Sequence, residues 1–242
     1  MYQNSSPPVC TSCQARSLCS FENLPVELLE QLTDSKRTYT FSRGETIFQF
    51  GDEATHFYCV RSGRLQVYRS SPCREQSFQI AGPGDWVGHR DSLGGGTYRQ
   101  GVRCLTEATV CKINRRVLET CMQAYPDFAR SLVENLARGW IESEHQSYNL
   151  GSRKIMERLA DYLLNLKARI SDNRGEGEAV NGTPTEVEFL MTREMLATLL
   201  GTTTESVIRT LSDFKARGWI DLSRGKVVLI NEKELARLVA ES

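Results

Sequence analysis

A chain of 242 residues has room for two modest domains, each with its own hydrophobic core. Its 30 basic and 30 acidic side chains cancel, which argues against a basic tail that binds nucleic acid and against an acidic, disordered tail. The sequence has no apolar run of membrane-spanning length and no secretory signal at its start, so we expect a cytoplasmic protein with no membrane partner.

Cysteine is abundant for a protein of this class. Structural disulfides are rare in the reducing cytoplasm, which leaves metal binding or redox chemistry to explain so many thiols. The eight cysteines are Cys10, Cys13, Cys19, Cys59, Cys73, Cys104, Cys111 and Cys121.

The first segment, residues 1–22, combines a polar start with three closely spaced thiols. Its first nine residues are polar and are expected to be disordered. Cys10, Cys13 and Cys19 follow at a spacing that lets a short loop direct three sulfurs at one metal centre. A fourth cysteine from elsewhere would complete the site. The spacing alone does not distinguish zinc from an iron–sulfur cluster or from free thiols.

Residues 23–124 are predicted to form a domain of short antiparallel strands. From Tyr39 to Ile113, stretches rich in aromatic and β-branched residues alternate with Gly, Pro and Ser turns, a pattern typical of a jelly-roll or barrel. Residues 82–88 and Gly94–Gly96 are interpreted as turns, and residues 114–124 as a short helix. The predicted strands are TYTF, ETIFQF, HFYCVR, RLQVYRS, EQSFQIA, RQGVRCL and ATVCKIN.

Residues 125–150 are predicted to form a long helix that pairs two copies of the chain. From Pro126 to Asn149 apolar residues recur at helical spacing, and Gly151 is the expected C-cap. A helix of about 36 Å is longer than one small core needs, and its three- and four-residue steps fit a coiled-coil seam. The alternative is an amphipathic helix packed on its own domain. The predicted dimer-interface residues are Leu136, Trp140, Ile141, Glu144 and Tyr148.

Residues 151–242 have the element order of a winged helix-turn-helix. A helix at 152–170 and a polar loop at 171–186 come first. Two helices, Thr192–Leu200 and Thr203–Arg217, then flank a turn at Gly201, and a hairpin at 219–230 and a last short helix follow. The predicted fold class is therefore α+β: an N-terminal antiparallel β-roll, a long dimerisation helix and a C-terminal winged helix-turn-helix.

Taken together, these residues resemble the Crp/Fnr family of bacterial transcription regulators along nearly the whole chain, and most closely its oxygen-sensing FNR branch. The resemblance rests on the cysteine spacing, on motifs of the β-roll and on the helix-turn-helix. The matching stretches are Cys10–Cys19, Gly51–Glu53, Val60–Gly63, Val110-Cys111, Met191–Met195 and Gly201–Glu205 with Arg209.

The resemblance implies a β-roll like that of cyclic-nucleotide-binding proteins and a [4Fe–4S] cluster as cofactor. In the FNR branch three N-terminal cysteines and one from the β-roll hold the cluster. The positions that match those ligands are Cys10, Cys13, Cys19 and Cys111, with Cys104 as second choice for the fourth ligand. The thiols without a counterpart, interpreted as core or incidental, are Cys59, Cys73 and Cys121.

The chain departs from nucleotide-binding relatives at the phosphate cassette. Relatives that bind cyclic AMP carry an acidic residue after the cassette glycine and an Arg-Ser pair further on. Here Gly88 is followed by His89, and Arg99 by Gln100. The ribose and phosphate contacts would be incomplete, so no nucleotide ligand is expected.

The second helix of the helix-turn-helix is the predicted DNA-reading element. Glu205 and Arg209 lie four apart on one helical face, where they can share one C·G pair in the major groove. A capping box of Thr202 with Glu205 and an i,i+4 salt bridge are the alternatives. Ile208 replaces a serine of the FNR branch and is predicted to meet a thymine methyl. The predicted DNA-contacting residues are Thr203, Thr204, Glu205, Ser206, Ile208 and Arg209.

The sequence therefore predicts a DNA-binding transcription regulator, not an enzyme, that senses oxygen through its cluster. Residues 188–242 carry as many acidic as basic side chains, so one copy should bind DNA weakly, and dimerisation becomes the expected control point. The expected partners are a second copy of the chain, palindromic double-stranded promoter DNA and RNA polymerase. The alternatives are a nitric oxide or thiol-oxidation sensor that uses the same cysteines, and a zinc-stapled DNA-binding protein. An iron–sulfur electron carrier is disfavoured, because it has no use for a winged reader.

One acidic residue falls on the predicted dimer seam. Glu144 follows Ile141 by three and precedes Tyr148 by four, and the FNR branch has an acidic residue at the matching place. Two such carboxylates would repel each other across a two-fold axis, which would hold the dimer near balance. The alternative is that Glu144 turns outward and pairs with Arg153 or Arg138.

Overall fold

The structure is a computed structural model that describes residues 9–22, 24–72, 74–172, 185–188, 192–223 and 226–240. The chain divides into two compact units, Met1–Ile141 and Glu142–Ser242. The predictions for residues 1–8, Cys73 and Met191 lie outside the described residues. No helix in the described ranges is long and apolar enough to cross a membrane.

The first unit is built on two antiparallel sheets, which confirms the predicted β-roll. Their strand orders are β1-β8-β3-β6 and β2-β7-β4-β5. All seven predicted strands are present, and the segment interpreted as a turn at 82–88 contains an additional short one, β6. The strands are β1 (Arg37–Phe41), β2 (Thr46–Phe48), β3 (His56–Ser62), β4 (Leu65–Ser71), β5 (Arg74–Ala81), β6 (Trp86–Val87), β7 (Gly101–Cys104) and β8 (Ala108–Asn114).

The β1-β8-β3-β6 sheet is buried on both faces, because side chains along a strand alternate between its two sides. One face contributes Tyr58 and Val60 to a core inside the roll, here called the roll core, which also contains Phe48, Leu65 and Val102. The other face contributes Phe57, Cys111 and Ile113 to a second core, here called the outer core, which also contains Phe21, Leu29 and Phe128. The two cores therefore share one sheet.

Helices cover the outer core. Helix α1 (Val26–Ser35), which was not predicted from the sequence, buries Leu28, Leu29 and Leu32 at helical spacing. Helix α2 (His89–Gly94) was not predicted, and it ends at the first residue of the stretch Gly94–Gly96, which was interpreted as a turn. Helix α3 (Arg115–Ala124) begins one residue later than predicted, because Asn114 is its N-cap and accepts a hydrogen bond from the Arg116 N–H at 2.9 Å.

The long helix α4 runs from Pro126 to Ser152 without interruption. The prediction that Gly151 caps it is wrong, since the Arg153 N–H still bonds to the Asn149 carbonyl at 3.2 Å. The next helix, α5, starts after Lys154, whose N–H bonds to the Glu157 carboxylate at 2.8 Å. Near its start α4 buries hydrophobic side chains in the outer core, whereas further along its apolar side chains are exposed.

Within the described residues, the second unit contains a three-stranded sheet and four helices with one core, which confirms the winged helix-turn-helix. The sheet order is β10-β11-β9, so the predicted hairpin carries a third strand. Of the predicted loop 171–186, residues 171–172 belong to α5 and 185–186 to β9, and 173–184 lie outside the described residues. The elements are α5 (Ile155–Asp172), β9 (Thr185–Glu188), α6 (Arg193–Leu200), α7 (Thr204–Ala216), β10 (Ile220–Ser223), β11 (Lys226–Leu229) and α8 (Glu232–Ala240).

Candidate cysteine site and DNA-reading helix

The N-terminal cysteine segment folds as a compact loop of two short 3-10 turns, Cys10–Ser12 and Arg16–Leu18. The Arg16 guanidinium lies inside the loop, where it donates hydrogen bonds to the Thr11 and Glu22 carbonyls at 3.3 and 3.4 Å. The Cys10 N–H donates to the Thr33 hydroxyl of α1 at 3.0 Å. The loop, here called the cysteine loop (residues 10–21), is thus tied to itself and to the first helix.

The cysteine loop packs on the outer core through Phe21. The Phe21 ring lies 4.5 Å from Trp86 and 5.7 Å from Phe128, measured between ring centroids, and stacks on Phe128. Opposite the loop, Gly84 has a φ of +91°, and a Cβ there would lie 2.4 Å from the Leu18 carbonyl oxygen. A side chain at position 84 would therefore push the loop away from the β-roll.

The loop brings its thiols to the sheet. Cys19 Sγ lies 3.5 Å from Cys59 Sγ on β3. Cys59 and Cys111 face each other across the antiparallel β3·β8 pair, so their side chains leave the sheet on the same face. Cys10 and Cys13 are close enough to act electrostatically on Cys111, and Cys13 also acts on Cys59. Cys19 and Cys59 are thus in contact, and Cys10, Cys13 and Cys111 lie within electrostatic reach of one another or of this pair. These five residues are here called the thiol pocket (Cys10, Cys13, Cys19, Cys59 and Cys111).

Cys59, interpreted from the sequence as a core or incidental thiol, packs against the outer core and contacts Cys19. The sequence carried a signal for it, since strand alternation puts residues 57 and 59 on one face and pairing of two predicted strands puts 59 opposite 111. By contrast, Cys104 is buried in the roll core, on the other side of the sheet, and Cys121 lies on α3 in the outer core. The geometry therefore does not favour Cys104 as an alternative to Cys111.

A buried lysine supplies positive charge to the thiol pocket. Lys36 is only 5% exposed, and its Nζ donates a hydrogen bond to Cys10 Sγ at 2.8 Å. Its charge also lowers the pKa of Cys19 and of Cys111. Because a buried ammonium is costly without a counter-charge, Lys36 favours a negatively charged group beside it. No sequence motif marked Lys36, which joins α1 to β1.

The thiols differ in how readily they ionise. The hydrogen bond from Cys59 lowers the pKa of Cys19 from 9.0 to about 7. The same contact, together with burial, raises the pKa of Cys59. Burial raises the pKa of Cys111, against the opposing effects of Lys36 and of the Thr38 hydroxyl, which lies 3.9 Å from its sulfur. At neutral pH Cys19 is therefore the thiolate that forms with least cost among these three.

The thiol pocket combines several thiols with one buried cation. Among the described residues, no three His, Cys, Asp or Glu side chains are placed so that they could hold a metal ion. Thiolates are the ligands of iron–sulfur clusters and of structural zinc, so the residue types in the pocket fit either group. The buried Trp86 indole N–H lies in the same core beside Cys19, where it helps to lower the pKa of that thiol.

The roll core leaves little space for a nucleotide. The cavity lined by Phe48, Gly88 and His89 has a volume of about 40 Å³, whereas ligand pockets typically measure about 300–1,000 Å³. Phe48 and Tyr98 stack across the interior with 3.8 Å between ring centroids. Burial lowers the pKa of His89 to about 4, with a smaller effect from Arg90, so His89 is neutral and cannot replace the charge of an acidic residue.

The second unit presents helix α7 to solvent. Gly201, in the left-handed conformation with a φ of +64°, ends α6 and allows the tight turn into α7. The Arg158 guanidinium of α5 donates to the Leu200 carbonyl at 2.7 Å and secures the end of α6. Val207, Leu211 and Phe214 bury the inner face of α7. The outer face is thereby held on a rigid support.

Three of the predicted DNA-contacting side chains are exposed on that outer face. Glu205 and Arg209 are exposed, and Ile208 is 50% exposed. In the part of the chain that the structure describes, Arg209 forms no ion pair with Glu205, so the salt-bridge alternative is not supported. The capping-box alternative is wrong in its residue, since the N-cap is Thr203 and not Thr202.

The helix start fixes the remaining predicted contacts. The Thr203 hydroxyl accepts a hydrogen bond from the Ser206 N–H at 3.3 Å. Hydrogen bonds from its own N–H and from Thr203 lower the pKa of Glu205, which is therefore a carboxylate at neutral pH. Thr203 is exposed, and Thr204 and Ser206 are half-buried at the same end. The first turn of α7 thus presents hydroxyl groups and one carboxylate.

Helix α4 carries an uncovered apolar surface. Trp140, Ile141 and Tyr148 are 70, 64 and 51% exposed, and their spacing places them along one helical stripe. Leu136 is half-buried and packs on the outer core. Glu144, on the same stripe, is exposed and makes no ion pair with any described residue. The alternative partner Arg153 instead contacts Asp161 at 3.4 Å.

Both units match models of known domain families. A cyclic nucleotide-binding domain model matches residues 39–125, and a Crp-like helix-turn-helix domain model matches residues 157–238. The chain is 30% identical to the CRP-like cAMP-activated global transcriptional regulator of Mycobacterium tuberculosis over 219 residues, which cover 90% of this chain and 94% of that protein.

Two further relatives resemble the chain over most of its length. It is 29% identical to the fumarate and nitrate reduction regulatory protein of Escherichia coli over 238 residues, covering 96% of this chain and 91% of that protein. Among solved structures it is similar to FixK2 of Bradyrhizobium japonicum, with a TM-score of 0.72 and 26% identity over 84% of this chain and 96% of that one.

Proposed function

The chain belongs to the Crp/Fnr family of DNA-binding transcription regulators, and from that premise we propose that it senses oxygen through a [4Fe–4S] cluster. The proposed ligands are Cys10, Cys13, Cys19 and Cys111. The observation that carries the proposal is the thiol pocket, in which Cys10, Cys19 and Cys111 pack with the outer core and the buried Lys36 donates to Cys10. Cys13 lies within electrostatic reach of Cys111. The resemblance of the cysteine spacing to the FNR branch supports this cofactor.

The chain's own residues prepare the pocket for an anionic group. When bound, the cluster supplies reactivity toward oxygen that no side chain possesses. Lys36 balances the charge of the thiolates, and Thr38 lies beside Cys111. Because the ligands come from a loop and from a strand, binding also holds the cysteine loop on the sheet.

Phe21 connects the thiol pocket to the dimer helix. It follows Cys19 by two residues and stacks on Phe128 of α4. Burial of a phenylalanine side chain contributes about 1.5–3 kcal/mol, so release of the loop would weaken the support of α4 by an amount of that order. We infer that this contact transmits the state of the pocket to the apolar stripe at Trp140, Ile141 and Tyr148.

Pairing of two copies is proposed to position two reading helices on DNA. Family members bind promoter DNA and act as dimers, and the exposed stripe on α4 supplies a surface for it. Two α7 helices set about 34 Å apart would enter successive major grooves of a palindromic site. Glu205 and Arg209 would read one C·G pair in each half-site, and Ile208 a thymine methyl. A partner such as RNA polymerase would then meet the promoter-bound dimer.

The direct test is purification without air. We expect a brown protein with about four irons and four sulfides per chain, which bleaches in air and changes from dimer to monomer in sedimentation. A colourless protein that contains zinc would instead support the zinc-stapled alternative. A metal-free protein that still responds to oxidants would support a thiol sensor.

A further inference from the structure

Cys59 has no part in the proposed function, although it lies in the thiol pocket. It sits on β3, which pairs with β6 on one side and β8 on the other, so its backbone is fixed. Its sulfur contacts the sulfur of Cys19 at 3.5 Å. Among the described cysteines no other pair lies within hydrogen-bonding distance.

We propose that Cys19 and Cys59 form a reversible disulfide when a peroxide reaches the cluster-free protein. The proposal rests on the proposed function only in that a bound cluster would occupy Cys19. The contact, and hence the disulfide, belongs to the chain itself. It makes the pair an oxidation site in addition to a place for a metal cofactor.

The geometry requires little rearrangement. A disulfide joins two sulfurs at about 2.05 Å, so the observed contact must shorten by about 1.5 Å, which is within the reach of side-chain rotation. Both residues are half-buried. Cys111 and Cys104 are buried, and Cys10 accepts the hydrogen bond from Lys36. The pair therefore has the closest sulfur atoms among the described cysteines.

The chemistry balances with hydrogen peroxide as the oxidant. The Cys19 thiolate attacks one peroxide oxygen, the O–O bond breaks, and hydroxide leaves to become water, which gives a sulfenic acid at Cys19. The Cys59 sulfur then attacks the Cys19 sulfur, the S–O bond breaks, and a second water leaves with the protons of the two groups. Two thiols lose two electrons, and one peroxide becomes two waters.

The disulfide would prevent the cofactor from binding. Once Cys19 is in the disulfide, it cannot serve as a ligand, and the cysteine loop is joined covalently to β3. Cluster assembly would then require prior reduction by a cellular thiol. The oxidised chain thus keeps its loop on the sheet without holding a cofactor.

Tryptic mapping tests the pair, because Cys19 and Cys59 fall in two different peptides that contain no other cysteine. Cleavage after Arg16, Lys36, Arg43 and Arg61 gives peptides 17–36 and 44–61, each with a single cysteine. Metal-free full-length protein is treated with equimolar hydrogen peroxide, alkylated and digested without reduction. We expect the two peptides joined, with the link lost after reduction with dithiothreitol.

Two variants and a control make the outcome decisive. Cys19→Ser and Cys59→Ser should each abolish the link, whereas Cys121→Ser, which removes a thiol from the same outer core, should retain it. Retained circular dichroism shows that a variant has folded. A link within peptide 1–16, a link to the peptide that contains Cys111, or irreversible oxidation of Cys19 without any link would overturn the proposal.

Iron loading separates this proposal from the proposed function. Oxidised wild-type protein should take up iron and sulfide only after reduction. If the link forms but the reduced protein never binds iron, the cluster proposal fails and the disulfide stands. If the protein binds iron and forms no link, the disulfide proposal fails and the cluster proposal stands.

Discussion

The two units display their functional side chains in opposite ways. In the first unit the candidate site is turned inward, since Lys36 and Cys111 are almost fully buried beneath a loop. In the second unit the candidate DNA-contacting side chains Glu205, Ile208 and Arg209 stand in solvent on a helix whose inner face is packed. A buried site gains from low dielectric and from exclusion of water, whereas a reading surface must leave its donors and acceptors free for base edges.

Burial therefore predicts how each unit responds to substitution. Changes in the thiol pocket should act as all-or-none effects, because one missing ligand leaves the site incomplete. Changes on α7 or on the exposed stripe of α4 should act in graded steps of one to two orders of magnitude.

The largest effect is expected on iron binding, when cysteines on the two faces of the β1-β8-β3-β6 sheet are replaced. Cys111→Ser should abolish the visible absorption and the bound iron of anaerobic protein, because Cys111 faces the thiol pocket. Cys104→Ser should leave both intact, because Cys104 faces the roll core. Iron and sulfide analysis of the two variants makes the comparison. Iron retained by Cys111→Ser and lost by Cys104→Ser would show that the fourth ligand lies on the opposite face.

Cys59→Ser is the matching variant within the pocket. It should retain the cluster if Cys111 is the fourth ligand. Loss of iron from Cys59→Ser alone would assign that ligand to β3 instead of β8.

The second prediction concerns the pH dependence of thiol labelling in metal-free protein. The pKa of Cys19 is lowered to about 7 by the hydrogen bond from Cys59, whereas burial raises the pKa of Cys104 to about 11. Because the reactive thiolate appears as the pH rises through the pKa, Cys19 should label with a midpoint near pH 7. At pH 7 its thiolate fraction should exceed that of Cys104 by a factor of about 5,000.

Peptide-resolved alkylation rates at several pH values measure this difference. Cys59→Ala, which removes the hydrogen bond, should move the Cys19 midpoint upward toward its ordinary value of 9.0. A midpoint that stays near pH 7 in this variant would assign the effect to other groups such as Lys36.

The two candidate sites also differ in how far they could be predicted from the sequence. Helix α7 follows a local pattern, so the positions of Glu205 and Arg209 on its outer face are set by helical spacing alone. The spacing of the three loop cysteines is also a local pattern, and the strands were predicted from the alternation of apolar and polar residues along them. The fold class and the reading helix were therefore predictable from short stretches.

The remaining residues of the thiol pocket come from distant parts of the chain. Lys36 contacts Cys10 across 26 positions, and Cys59 contacts Cys19 across 40. Such contacts depend on strand register and on the path of a loop, which no single stretch encodes. Strand alternation did hold a signal for Cys59, but its use required knowledge that β3 pairs with β8.

The third prediction concerns base readout by the second unit. Arg209→Ala should lose discrimination at one G·C pair in each half-site, since a bidentate contact to guanine contributes about 1–3 kcal/mol. Nonspecific binding should persist. Selection of binding sites from a random pool shows which base preference is lost.

Arg217→Ala is the control for loss of charge. Arg217 caps the other end of α7 and pairs with Asp213 at 2.9 Å, so its removal should weaken binding without altering the consensus. A consensus that is unchanged by Arg209→Ala would remove this side chain from base readout.

The smallest effect is expected at Glu144, on the helix that passes from one unit into the other. Its carboxylate is exposed and has no ion-pair partner among the described residues, and it lies on the stripe formed by Ile141 and Tyr148. If that stripe is the dimer seam, two Glu144 carboxylates repel each other across the two-fold axis. Glu144→Ala should then strengthen association of the cluster-free protein by about tenfold, or about 1.4 kcal/mol.

Sedimentation of the cluster-free protein in air measures how the substitution changes the monomer–dimer equilibrium, which the cluster is proposed to control. Wild-type protein should be mainly monomeric, and Glu144→Ala should dimerise and bind DNA at the same concentration. Glu142→Ala removes the same charge from a position two residues earlier, away from the stripe, and should behave like wild type. If both variants dimerise equally, net charge and not the seam sets the balance. If neither does, the carboxylate at position 144 plays no part in the switch, and the support that Phe21 gives to α4 must carry it.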